Sequence, residues 1–85
     1  MQPDPKRGES LRHFAVKRAI LALSLAGHPS ALTRRELARE FGDREAVERA
    51  VASLRRSGLV EIGGRKSQSL WPTQAAREAH RLEAW

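Results

Sequence analysis

The sequence contains no cysteine. That absence excludes disulfide scaffolds, cysteine-based zinc sites, iron–sulfur clusters and thiol chemistry. It has no apolar run approaching the ~18 residues that a membrane span needs. The opening stretch, Met1-Gln2-Pro3-Asp4-Pro5-Lys6-Arg7, has none of the apolar character of a secretory signal. With 85 residues there is space for one domain and not for two cores. A domain this short buries only about 60–65% of its unfolded surface, which leaves little room for a large ligand pocket. No cofactor and no small-molecule effector are expected. Acidic residues are in deficit: 16 Lys+Arg stand against 10 Asp+Glu, a net charge of +6. Hydrophobic residues make up 40% and charged residues 31%, a globular balance rather than a disordered one. A small basic domain of this kind most often meets a polyanion. The expected location is the cytoplasm, at the nucleoid if the source is prokaryotic. Without disulfides or metal, the fold needs efficient helical packing or a partner subunit.

Catalytic chemistry is hard to place. His13, His28 and His80 lack zinc-ligand spacing, and no paired carboxylates join them. Nothing brings Ser, His and Asp together as a triad. Gly63-Gly64 is not followed by Lys-Ser/Thr, so it is no phosphate loop. The expectation is a binding protein, not an enzyme.

The hydrophobic pattern gives the order helix, short strand, helix, helix, strand, strand, helix. Residues 1–9, with Pro3, Pro5 and Gly8, read as a flexible arm, and residues 10–85 as the domain. Ser10 is the expected N-cap of a first helix over Leu11 to Ala26, with Gly27 a left-handed stop before His28-Pro29. Thr33-Arg34-Arg35-Glu36 fits a capping box, opening a helix that Gly42 ends. Asp43 caps a third helix from Arg44 to Ser57, stopped by Gly58. Two short capped helices so joined read as a helix-turn-helix. Leu59 to Ile62 and Ser69 to Trp71 read as hairpin strands, with Gly63-Gly64 supplying positive φ and Arg65-Lys66-Ser67-Gln68 the polar tip. Pro72 ends the ladder, and Thr73 caps a last helix from Gln74 to about Trp85.

Val47, Ala50, Val51 and Leu54 recur at i, i+3, i+4 and i+7, which defines a buried face on the third helix. The opposite face holds Glu45, Arg49, Ala52 and Arg56, with Glu48 and Ser53 at its edges. A DNA major groove about 12 Å wide admits such a helix. Arg49 and Arg56 suit guanine, Ser53 either kind of base edge, Glu45 or Glu48 cytosine N4, and Ala52 a thymine methyl. The same face also reads as a solvated surface, with Glu45 and Arg49 an i, i+4 ion pair. Arg65 and Lys66 at the hairpin tip suit a minor groove or phosphates. Arg34 and Arg35, in the first turn of the second helix, suit phosphate, and Arg44 joins the candidate contacts. Lys6-Arg7 read as part of a tail, and Arg12, Lys17 and Arg18 as a solvated face.

The order of elements resembles the winged-helix family of DNA-binding domains, in particular compact regulators of the MarR, ArsR and PadR type. The residues that carry the likeness are Leu32-Thr33-Arg34-Arg35-Glu36-Leu37-Ala38, then Val47, Ala50, Val51 and Leu54 leading to Ser57-Gly58-Leu59-Val60. Leu70-Trp71-Pro72-Thr73 running into Ala75-Ala76-Arg77-Glu78 completes it. The resemblance covers roughly residues 10 to 82. It implies a mainly α winged helix-turn-helix fold, a third helix that reads the major groove, a wing at residues 63–68, and dimers on pseudo-palindromic sites. The chain lacks the extra dimerisation helices of longer members and the cysteines of metal- or redox-sensing relatives. A homodimer is expected through the first helix and the Ala75, Ala79, Leu82 stripe of the last, with Trp85 beyond. A sequence-specific transcriptional regulator is the leading reading. The alternatives are a protein–protein adaptor module and an RNA binder, the latter with only Trp71 and Trp85 as stacking candidates.

Overall fold

The computed structural model describes the backbone of residues 5–83 and the side chains of residues 11–82. Its elements are α1 (Pro5–Gly27), β1 (Leu32–Thr33), α2 (Arg34–Phe41), α3 (Arg44–Arg56), β2 (Val60–Gly63), β3 (Ser69–Pro72) and α4 (Gln74–Glu83). The chain is mainly helical, with a small antiparallel sheet of strand order β1-β3-β2. The sheet is one strand wider than the hairpin, because Leu32 and Thr33 pair with Leu70 and Ser69. No helix among the described residues is long and apolar enough to cross a membrane.

Several boundaries differ from the sequence reading: α3 ends at Arg56, β2 is shifted by one residue to Val60–Gly63, and Pro72 is the last residue of β3, opposite Val60. Residues 5–9 are helical rather than part of an arm, and Ser10 lies inside α1 rather than capping it. Pro5 stands at the first helical position, where its fixed φ suits a helix and its missing N–H is no loss. A single Gly8 costs about 1 kcal/mol, too little to break a helix that packs elsewhere. Residues 1–4 of the expected arm lie outside the described residues, as do the side chains of Lys6 and Arg7 and all of Trp85. Gly27 ends α1 without a left-handed φ, which in this chain is confined to Gly42, Gly58 and Gly64 among the glycines. Pro29 is sufficient to stop the helix, since proline disfavours the α region in the residue before it. In the hairpin, Gly64 has positive φ and Gly63 does not. Gly63 makes room in another way: a Cβ there would lie 2.7 Å from Cη2 of Trp71, so that ring would have to shift.

The caps of the two central helices match their residues. Thr33 Oγ1 accepts from the Glu36 amide at 3.0 Å, and Asp43 Oδ1 from the Ala46 amide at 3.1 Å. Gly42, at φ 69°, closes α2 by donating to the Ala38 carbonyl. At the end of α3, Leu59 N–H reaches Leu54 O and Gly58 N–H reaches Arg55 O, both at 3.0 Å, the paired bonds of a Schellman motif. Thr73 then ties α4 to this corner, donating its N–H to Leu59 O and its hydroxyl to Gly58 O.

The core lies where α1 and α2 meet α3 and the sheet. Ile20, Leu37, Val47, Ala50, Val51, Leu54, Val60 and Leu70 are buried together. Each large side chain here contributes about 1.5–3 kcal/mol by burial. All four residues of the periodic α3 face are among them, so the orientation of α3 is fixed and its opposite side is turned outward.

Candidate nucleic-acid interface

α3 is a rod of 13 residues, roughly 20 Å long at 1.5 Å per residue. Its exposed side chains are Arg44, Glu45, Arg49, Ala52, Arg55 and Arg56. Projected on a helical wheel, Glu45 and Ala52 lie near the outward midline. Arg49 and Arg56 flank them on the side of Ser53, and Arg44 and Arg55 on the side of Glu48. An open depression of about 400 Å³ is lined by Arg44, Glu45, Glu48 and Arg49. Arg55 is absent from the sequence reading, although the wheel alone would place it on this surface.

Among the described residues neither acid on the exposed side of this helix forms an ion pair with one of its arginines. Glu48 is bound by Arg34 of α2, Nη1 to Oε2 at 3.2 Å. Among the described residues, Glu45 and Arg49, both exposed, form no ion pair. The Arg34–Glu48 bridge engages two of the candidate contact residues: Arg34 is half-buried with its guanidinium turned onto α3, and Glu48 accepts from it. A carboxylate beside a guanidinium fork is a stronger partner than solvent, and these helices meet at this point.

Ser53 stands at the edge of the outward face. It is half-buried and faces α1, where its hydroxyl accepts from Lys17 Nζ at 3.2 Å. It thus lies at the seam between α1 and α3. Lys17 is half-buried for the same reason, whereas Arg12 is exposed and pairs with the capping residue Asp43 at 3.3 Å. Neither belongs to a purely solvated face of α1.

The hairpin tip is short and tightly turned. Gly64 has φ 78° and ψ −170°, and Arg65–Ser67 form one 3₁₀ turn in which Lys66 and Ser67 have φ of 59° and 53°. Left-handed backbone at non-glycine residues costs about 1–2 kcal/mol each. Arg65 and Lys66 are exposed at this tip. The strand return is fixed to α2 by the Arg34 amide, which donates to Gln68 O at 2.9 Å. Arg34 thus joins three elements, binding the hairpin through its backbone and α3 through its side chain. Arg35, next to it, is exposed. Trp71 donates Nε1–H to Glu61 Oε2 at 2.9 Å and lies against Gly63, so its ring is engaged in the hairpin rather than presented for stacking.

Among the described residues no group of His, Asp and Glu is placed to hold a metal ion. Compared with known proteins, the chain matches no family model and no curated sequence.

Proposed function

We propose that the chain is a winged helix-turn-helix protein that binds double-stranded DNA in a sequence-specific way, most simply as a transcriptional regulator. On this reading α3 lies in the major groove and the 63–68 hairpin is the wing, set on the minor groove or the backbone. The observation that carries it is the outward face of α3. Arg44, Arg49, Arg55 and Arg56 are exposed there with no carboxylate partner among the described residues, while Glu48 is held by Arg34. Arg49 and Arg56, nearest the midline, are the base readers; Arg35, Arg44, Arg65 and Lys66 hold phosphates. The reading invokes no catalysis, cofactor or effector, and it places the protein in the cytoplasm, at the nucleoid in a prokaryote.

A second copy is the proposed partner. Leu11 and Phe14 of α1 are 67% and 54% exposed and Leu82 of α4 is 73% exposed, with Ala15, Ala22, Ala75 and Ala79 also uncovered. Arg18 is the cation within the α1 patch, and it lies over the Phe14 ring at 5.9 Å. A two-fold axis sets an apolar face against itself, and it would space two α3 helices about 34 Å apart, one turn of DNA. The same apolar patch favours the second reading, an adaptor module whose partner is another protein.

Selection of bound duplexes from a random pool, followed by titration, tests the proposal. Arg49→Ala is expected to cost about 1–3 kcal/mol on the selected sequence and much less on a scrambled one. Equal loss on both removes Arg49 as a reader. Failure to bind any duplex at low salt supports the adaptor instead.

A further inference from the structure

We propose that Lys17 and Ser53 form a phosphate-binding subsite at the seam between α1 and α3, gripping a backbone phosphate on the rim of the groove that α3 enters. The inference rests on the DNA-binding reading above and assigns α1 a part in it. Val16 and Ile20 of α1 pack into the core, and Lys17, next to Val16, lies along the edge of α3. The Lys17 stem lies half-buried over that edge, and its ammonium stops at the Ser53 hydroxyl, 3.2 Å away. Ser53 accepts this bond, and among the described hydrogen bonds its own proton has no acceptor. The ammonium and the hydroxyl therefore each keep an N–H or O–H free to donate.

Its surroundings call for an anion. Ser53 follows Arg49 by four residues and precedes Arg56 by three, so both guanidinium groups rise beside it on the same stretch of helix. Among the described residues none of Lys17, Arg49 and Arg56 has a carboxylate within ion-pair distance. Three cations thus lie along this edge of α3, none of them in an ion pair among the described residues, with Glu45 one turn from Arg49 toward the outward midline. A phosphodiester oxygen meets this set well: the ammonium supplies a point charge, the hydroxyl a directed donor, and the arginines a positive field. The position fits too. The seam lies to one side of the outward midline, where a groove about 12 Å wide brings its bordering backbone against a helix seated within it. Ser53, expected from the sequence as a base reader, is reassigned here to the backbone.

Titration of a random-sequence duplex with the full chain across a salt series tests the subsite. Lys17→Met keeps the apolar stem and removes the charge. It is expected to weaken binding about three- to ten-fold on random and selected duplexes alike, and to lower the slope of log K against log salt by about 0.9. Lys17→Arg is expected to restore the slope, and thermal unfolding establishes that both variants fold. Should the wild-type chain bind while Lys17→Met leaves affinity and slope unchanged, the subsite is overturned and the assignment of α3 stands. Should the wild-type chain bind no duplex at low salt, both are overturned.

Discussion

Glu48→Gln is expected to weaken the fold and tighten its hold on DNA. The carboxylate accepts from Arg34 at 3.2 Å, and the two side chains are 32% and 40% exposed. A bridge this open contributes about 0.2–1 kcal/mol. The amide keeps the shape and an oxygen for Arg34, so only that charge contribution is lost, and Tm should fall by about 1–8 °C for a domain of this size. On DNA the sign reverses. One charge about 8 Å from a phosphate in water is worth about 0.5 kcal/mol, so two such phosphates give about 1 kcal/mol before screening. Salt at about 0.1 M removes roughly half of that at this distance. Random-sequence duplex should therefore bind about two- to five-fold tighter, an effect that shrinks as salt rises. Fluorescence anisotropy at low and moderate salt, alongside thermal melts, measures both effects. Unchanged or weaker binding to random duplex would refute the reasoning, because no phosphate would then pass near Glu48. Loss confined to a selected sequence would instead make Glu48 a base acceptor.

Other outcomes follow from the packing. Gly63→Ala drives a methyl into the Trp71 ring, where the contact would be 2.7 Å, and should cost about 1–3 kcal/mol in thermal unfolding; the loss should shrink in a Trp71→Ala background, and an unchanged Tm would show that the ring does not lie there. Ser24 is buried on α1 with its hydroxyl unpartnered. Ser24→Ala should raise stability by about 0.5–1 kcal/mol, and a drop in Tm would show that the hydroxyl has a role the packing does not reveal. Leu11→Glu with Phe14→Glu should leave a monomer in sedimentation if α1 forms the two-fold interface, while a wild-type chain that sediments as a monomer at all concentrations would exclude that interface.

The features that could be read in the sequence are the local ones. Thr33 and Asp43 act as caps because a capping hydroxyl or carboxylate reaches an amide only three residues on. The buried side of α3 follows from Val47, Ala50, Val51 and Leu54 alone, since helical period fixes their common direction. What escaped depends on how helices cross. Lys17 meets Ser53 across 36 residues and Arg34 meets Glu48 across 14, and no wheel drawn for one helix shows what its neighbour brings to the edge. The demand on Gly63 is likewise set by Trp71 on the opposite strand. The start of α1 at Pro5 is not legible in the sequence, because a proline marks a break as readily as a first turn.

The central claim is that the outward side of α3 is the surface that meets DNA. Amide chemical-shift mapping of the ¹⁵N-labelled chain with a duplex selected from a random pool tests it most directly. The account predicts perturbations concentrated on Arg44–Arg56, at Arg65 and Lys66 of the hairpin tip, and at Lys17. Perturbations confined to the uncovered faces of α1 and α4, with α3 unmoved, would contradict it.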